Sequence, residues 1–278
     1  MEKRFSINCR GRLLDLSKPK IMGILNVTPD SFSDGGRFNN EKAALCQAEK
    51  MLEDGAEIID IGAQSTRPNA QYLSANEEIK RIRNIISELK KEFPHCYISL
   101  DTFYSAVVRF GADEGIDIVN DISGGQFDAD MFGTVAETQL PYILMHCNPD
   151  YKTMHEKIAY ENIVYSINRY FSDKLAELKA QGVYDVILDP GFGFGKTIEN
   201  QIQMIEEIEY IGLGNYPVLA GISKKSFIYK PLGKSPNTIA TETQKLHKTL
   251  LEKGVRILRV HDIAETKNVI DELFQDNC

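Results

Sequence analysis

The chain has 278 residues, 42% of them hydrophobic and 26% charged, with a formal net charge of -8. That length exceeds an average domain but is ordinary for an α/β barrel, and the apolar fraction excludes wholesale disorder. The acidic balance argues against a nucleic-acid footprint, so an anionic ligand would need a local cluster of cations.

The five cysteines (Cys9, Cys46, Cys96, Cys147 and Cys278) are odd in number and contain no C-x-x-C pair, which argues against a disulfide framework and a zinc ribbon. No apolar core follows the basic start, and no apolar run is long enough to span a bilayer. A reducing cytoplasm and no membrane partner are the expectation.

In chain order, Arg4 to Asp15 reads as a hairpin turning at Arg10-Gly11-Arg12. Eight short apolar runs follow: Ile21–Leu25, Ala56–Ile61, Cys96–Leu100, Ile116–Val119, Tyr142–Met145, Val186–Leu188, Pro217–Ala220 and Arg256–Val260. Amphipathic stretches alternate with them. Ser74-Ala-Asn-Glu77 is a capping box that opens a helix with Ile79, Ile82, Ile86 and Leu89 on one face. Glu161 to Leu178 repeats Val164, Ile167, Phe171 and Leu175, and Pro236 to Lys253 repeats Ile239, Thr243, Leu246 and Leu250. A further helix is expected from Glu199 to Tyr210, with Ile202, Ile205 and Ile208 in phase. Near-continuous apolar strands alternating with amphipathic helices give a parallel sheet covered by helices. Eight such units predict a single (β/α)8 barrel over residues 19–278, with the hairpin of residues 1–18 ahead of it. An open doubly wound sheet is the second choice, and it lacks its glycine fingerprint.

Val186 to Thr197 reads as strand, glycine loop and helix. A phosphate-binding P-loop would need glycine at Pro190, and a dinucleotide fingerprint would need it at Lys196. Asp189 at the strand tip is therefore the chemical feature, and a plain Asp-Pro-Gly turn reads equally well on this stretch alone. Barrel chemistry gathers where strands end. The residues there are Asn26, Ser65-Thr66-Arg67-Pro68, Asp101, Asn120, His146, Asp189, Ser223 to Ser226 and Arg259-Val260-His261-Asp262. Carboxylates accept paired N–H donors from an aminopyrimidine edge, an arginine stacks on a flat ring, and Arg67 suits a phosphate.

Leu25 to Gly36, Ser65 to Pro68, Asn120 to Gly125, Asp189 to Lys196, Lys225 to Phe227 and Arg259 to Asp262 resemble, in order and spacing, the motifs of the dihydropteroate synthases. The resemblance covers nearly the whole chain. It implies a barrel that joins 6-hydroxymethyl-7,8-dihydropterin pyrophosphate to 4-aminobenzoate, releasing pyrophosphate, with Mg2+ as cofactor and sulfonamides as substrate mimics. It assigns Asp101, Asn120, Asp189 and Lys225 to the pterin, with Ile122 and Met145 packing on the ring and Arg259 beside it. It assigns Asn26, Thr66, Arg67, Arg259 and His261 to the pyrophosphate, with Asn26 tied to the metal. Phe32, Pro68, Phe194 and Ser226 fall to 4-aminobenzoate, and Asp34 to the closing lid. Asp34, Arg67, Lys225, Arg259 and His261 are the catalytic set. His95, His146, His155 and His247 read as ordinary satisfied histidines.

Four stretches depart from the family pattern. Gly62-Ala63-Gln64 replaces Gly-Gly-Glu, His146 to Met154 has its own turn residues, Lys224 stands for arginine, and Tyr229 for glycine. A homodimer packed through the C-terminal helices is also implied, although Thr238 to Leu251 leaves one narrow apolar stripe for it. A related pterin-binding methyltransferase, or a homologue without catalysis, would share the Asp and Asn contacts. Neither needs the pyrophosphate set of Asn26, Arg67, Arg259 and His261.

Overall fold

The computed structural model describes residues 4–27, 36–64 and 72–274, with side chains described from residue 41 onward in the second segment. Strands β1 (Ser6–Cys9) and β2 (Arg12–Asp15) form the expected antiparallel hairpin. Its two central residues, Arg10 (φ 53) and Gly11 (φ 84), both take left-handed backbone, as a tight two-residue turn requires.

The eight following strands are β3 (Lys20–Asn26), β4 (Ile58–Gly62), β5 (Tyr97–Asp101), β6 (Ile118–Asp121), β7 (Tyr142–Met145), β8 (Val186–Asp189), β9 (Leu219–Ala220) and β10 (Ile257–Val260). All pair in parallel, in the order β8-β7-β6-β5-β4-β3-β10-β9. A parallel bridge between Leu188 and Val218, with Leu188 N–H donating to the Pro217 carbonyl at 2.9 Å, joins the two end strands into a nearly closed barrel. The helices are α1 (Gly36–Glu53), α2 (Ala75–Glu92), α3 (Ser105–Glu114), α4 (Met131–Thr138), α5 (Ile163–Ala180), α6 (Ile198–Glu206), α7 (Ser226–Tyr229), α8 (Ala240–Glu252) and α9 (Ile263–Leu273). Among the described residues, no helix is long and apolar enough to cross a membrane.

The period-two alternation of each strand separates two cores. Outward residues such as Ile59, Ile61, Leu100, Val119, Leu144, Leu188, Leu258 and Val260 pack against the helices. Inward residues Met22, Ile58, Ile118, Ile143, Ile187, Leu219 and Ile257 form an apolar floor inside the barrel, and Ile7, Cys9, Leu14 and Leu16 of the hairpin pack on it from below. The hairpin therefore plugs the N-terminal end. Arg12 ties it down: its guanidinium binds the Cys96 carbonyl at 3.1 Å and the buried Asp117 carboxylate at 3.0 Å, and lies 4.4 Å over the Tyr97 ring. The four described cysteines are free, and burial pushes the Cys9 thiol up to about 12.

The capping box at Ser74 forms as expected, with the Ser74 hydroxyl accepting from Glu77 N–H and Glu77 reaching back. The helix expected over Glu199–Tyr210 is cut short: α6 stops at Glu206, and a 3-10 segment, Ile208–Gly214, with non-helical backbone at Ile211 to Leu213 replaces the rest. Ile202, in phase on paper, is 48% exposed, because the buried face of this shorter helix is Gln201, Met204 and Ile205. The helix expected from Pro236 begins only at Ala240, after a turn in which Thr238 Oγ1 accepts from Ser235 N–H.

Removing bulk from the plug should be far costlier than removing it from the hairpin's outer face. Leu14→Ala is expected to destabilise by about 2–5 kcal/mol, whereas Leu13→Ala should stay within about 0.5 kcal/mol. The contrast rests on Leu14 being 1% and Leu13 67% exposed. Urea unfolding midpoints of the two variants check it.

Candidate active site at the barrel mouth

One step up each strand from the apolar floor, the inward side chains turn polar. Ile58 is followed by Asp60, Ile118 by Asn120, Ile187 by Asp189 and Ile257 by Arg259, with Met145 above Ile143. The register sets Asn120 of β6 beside Asp101 of β5 and Asp189 of β8 beside Met145 of β7. A charged layer therefore lies on a dry floor and opens only toward the C-terminal mouth.

Arg259 is the centre of this layer. Its Nε donates to Asp60 Oδ2 at 2.6 Å and its Nη2 to Asp101 Oδ2 at 2.6 Å. Asn120 Nδ2 donates to the same Asp60 oxygen at 3.0 Å. Asp60 is fully buried, and its other oxygen, Oδ1, has no partner among the described residues. Burial pushes the Asp101 carboxyl upward and Arg259 pulls it back. A guanidinium that cannot lose its proton, bound at 2.6 Å, selects the ionised carboxylate. Asp60 lies inside the apolar run Ala56–Ile61, where residue type alone does not single it out. Its inward phase, two residues above Ile58, is the signal that marks it.

Lys225 enters from the strand β9 loop. Burial and Arg259 lower its ammonium to about 8, against the pull of Asp189 and Asp101. Its Nζ lies 4.7 Å from the centre of the Phe194 ring. The side chain crosses Gly193, which has a left-handed φ of 85 and where a Cβ would come 3.1 Å from Lys225 Cδ. Asp189 Oδ1 accepts the Gly191 N–H at 2.7 Å. Burial raises the Asp189 carboxyl, and that backbone bond, then Lys225, oppose the rise.

The glycine loop is clamped by Lys196, a second residue that the sequence reading left without a role. Its ammonium, 4% exposed, donates to the carbonyls of His146 (3.2 Å), Gly191 (2.9 Å) and Phe194 (3.0 Å). Burial lowers it to about 7. The divergent loop beside it has turn chemistry of its own: Asn148 Nδ2 donates to the carbonyls of Thr153 and Glu156, both at 2.8 Å, and Asp150 accepts from Lys152 N–H. Gly195 makes room for that amide, since a Cβ there would lie 2.7 Å from Asn148 Nδ2.

Ile122, Met145 and Phe194 share one apolar cluster with Phe103, Cys147 and Met154, so the residues expected against a flat ring are brought together. Phe127 and Tyr151 extend the cluster, and the edge of the Phe103 ring meets Tyr72 at 5.8 Å. His261 lies at the mouth, its Nδ1 3.2 Å from Ser223 Oγ, which leaves Nε2 as the outward nitrogen. Partial burial first, then Lys224 and Arg259, lower its pKa and favour the neutral ring. Ser226 is exposed at the start of α7, and Asn26 ends β3 half-buried. Phe32, Asp34, Thr66, Arg67 and Pro68 lie outside the described residues.

Two of the histidines read as satisfied are only partly so. His146 is buried with Nδ1 unpartnered among the described residues, and burial keeps it neutral. His247 binds Gln244 through Nδ1 at 3.0 Å, but its Nε2 has no partner there. Glutamine at position 64 is tied to the far side of its loop, since Oε1 accepts the Leu73 N–H at 3.0 Å.

Residues 22–261 match the family of pterin binding enzymes. Among curated proteins, dihydropteroate synthase from Haemophilus influenzae is 40% identical over 262 residues, 93% of this chain and 94% of the relative. The Escherichia coli K12 dihydropteroate synthase is 38% identical over 263 residues, 92% and 91% of the two chains. Among solved structures, Xanthomonas albilineans dihydropteroate synthase with 4-aminobenzoic acid superposes with a TM-score of 0.90 at 31% identity, covering 98% of this chain and 97% of that one. The Yersinia pestis dihydropteroate synthase in a sulfonamide drug complex gives 0.90 at 36% identity, covering 97% and 98%.

A buried acid behind the site offers a stability test. Glu78 of α2 is 1% exposed and takes the Thr102 hydroxyl at 2.8 Å, and burial, against that bond, pushes it up to about 7. A carboxyl raised in the folded state contributes stability that is full below its unfolded value, about 4.3, and fades as pH rises through the folded value. Glu78→Gln should therefore gain melting temperature relative to the parent at pH 7.5 and lose that advantage by pH 5. Paired thermal melts across this range check the sign.

Proposed function

The chain belongs to the pterin-binding enzyme family and, within it, to the dihydropteroate synthases, and from that membership we propose how its barrel mouth joins 6-hydroxymethyl-7,8-dihydropterin pyrophosphate to 4-aminobenzoate. The observation that carries the reading is the charged layer of Asp60, Asp101, Asn120, Asp189, Lys225 and Arg259 on an otherwise apolar barrel floor. Water reaches it only from the mouth, so a flat heterocycle with donors along one edge and a carbonyl on the other is its natural complement. Asp101 and Asp189 accept the ring's N–H groups, Asn120 both donates and accepts, and Lys225 donates to the ring carbonyl. Ile122 and Met145 cover one face, and Arg259 stacks at the other while Asp60 holds it.

In this reading, which follows the family motifs, Asn26, Thr66, Arg67, Arg259 and His261 take the pyrophosphate. His261 offers Nε2 because Ser223 fixes Nδ1. The donor set fits Mg2+ only in a particular way. Among the described residues no group of three His, Cys, Asp or Glu side chains could hold a metal, and the Asn26 amide oxygen is a single neutral ligand. That suits an ion that takes most of its ligands from water and phosphate. When bound with the pyrophosphate, Mg2+ supplies charge neutralisation to the leaving group.

Arg67, Arg259 and His261 stabilise the departing anion, and breakage of the carbon–oxygen bond leaves a methylene cation delocalised into the electron-rich pterin. Asp34 steadies that charge. 4-Aminobenzoate, held by Phe32, Pro68, Phe194 and Ser226, then attacks through its neutral amine and releases a proton. An arylamine is a weak nucleophile, so bond breaking leads in this SN1-like path and no covalent enzyme intermediate is needed. The homodimer implied by the resemblance belongs to the same reading.

Protein mixed with Mg2+ and both substrates should yield 7,8-dihydropteroate and equimolar pyrophosphate, identified by mass. Arg259→Met should lower kcat by about a hundredfold or more. Pterin binding with no product would favour a non-catalytic homologue, and undiminished turnover in Arg259→Met would remove Arg259 from the mechanism.

The pH profile gives an independent check. Lys225 donates only while protonated, and its ammonium is lowered to about 8. Thus kcat/KM should fall as pH rises beyond that value. Lys225→Met should be slower throughout and should lack that limb.

A further inference from the structure

We propose a second ligand site at the opposite end of the barrel, one that takes a small monocarboxylate with an apolar body. Arg256 stands just before β10, at the N-terminal face, and is 6% exposed. Its guanidinium has no hydrogen bond or ion pair among the described residues, and its Nε is fully buried without a partner. It lines two adjoining cavities, of ≈ 230 Å³ and ≈ 570 Å³. Phe5, Ile208, Ile211 and Tyr216 line the first, and Leu251 and Phe274 the second.

A buried cation needs a counter-charge. Lysine or histidine in this position would shed its proton, but arginine cannot. The acids along the walls do not supply the charge. Glu209 is held by Lys253 Nζ at 2.8 Å, and Glu252 is exposed and makes no ion pair with Arg256. Lys253 is itself committed to Glu209 and to the Glu206 carbonyl, at 2.8 Å each. Apart from the Glu209–Lys253 pair and the exposed Glu252 the walls are largely apolar, so the cation left over fits one negative charge on an apolar body, and the planar guanidinium fits a carboxylate in two-point contact. The larger cavity has the size of an ordinary small-molecule pocket. None of these residues belongs to the mouth, so the site does not depend on the catalytic reading.

The probe is 3-phenylpropionate, titrated by calorimetry into the full chain, with its uncharged amide as the control. Saturable binding of the acid, with the amide at least about tenfold weaker, is expected, as one charge-assisted contact is worth that factor. Nuclear Overhauser contacts should run from the probe's ring to methyls of Ile208, Ile211 or Leu251. Arg256→Met should bind the acid about tenfold more weakly and keep its turnover of pterin and aminobenzoate. Equal binding of acid and amide, or contacts confined to the Ile122 and Met145 methyls of the mouth, would overturn the proposal. The two ligands are compared on the unaltered protein, so the test holds even if the variant folds poorly.

Discussion

The guanidinium of Arg259 sits inside the barrel and keeps its charge at every accessible pH, and much of the mouth follows from that. Asp60 and Asp101 each bind it at 2.6 Å, and Asn120 donates to the same Asp60 oxygen at 3.0 Å. Three strands are thereby committed to a single cation. Removing either carboxylate would leave a charge with half its support in a site that water enters from one side only, the case in which loss of a partner is most costly. The same arrangement leaves Asp60 Oδ1 without a partner among the described residues, and Lys225 lies close enough to Asp189 for the two charges to influence each other. A layer with unspent donors and acceptors is suited to a ligand that completes it.

Charge can be gathered there because the other end is shut. The hairpin's Ile7, Cys9, Leu14 and Leu16 cap a floor of inward aliphatic side chains. Solvent and substrate share the C-terminal mouth. Above it, Lys196 ties two carbonyls of the glycine loop, Gly191 and Phe194, to that of His146 and so helps to hold Phe194 beneath Lys225. The divergent loop His146–Met154 adapts to this clamp, with Asn148 in the space that Gly195 leaves. Met145, just before that loop, stays in register with Asp189.

Legibility in the sequence tracked the range of the interaction. The hairpin turn, the Ser74 capping box and the eight apolar runs are local patterns with periods of two or 3.6 residues, and all appear close to where the pattern put them. The end of α6 was misplaced because Ile208 and Ile211 keep helical spacing while the backbone leaves the helix at Ile211 to Leu213, and both still reach the core by another route. Asp60 and Lys196 were passed over for a related reason. Each looks ordinary among its neighbours in the chain, and each has a partner that is remote: Arg259 lies 199 residues from Asp60, and His146 lies 50 from Lys196.

By itself, then, the sequence determined the alternation of strand and helix, the polar residues at strand tips and the motifs that mark the family, since these depend on residue type and spacing alone. The tertiary structure decided which of those tips share a layer, that Asp60 binds Arg259, and that Arg256 Nε at the far end is buried without a partner among the described residues. Barrel closure sets those facts. It turns every second side chain of separate strands toward one axis, and only then do charges far apart in the chain have to be balanced against each other.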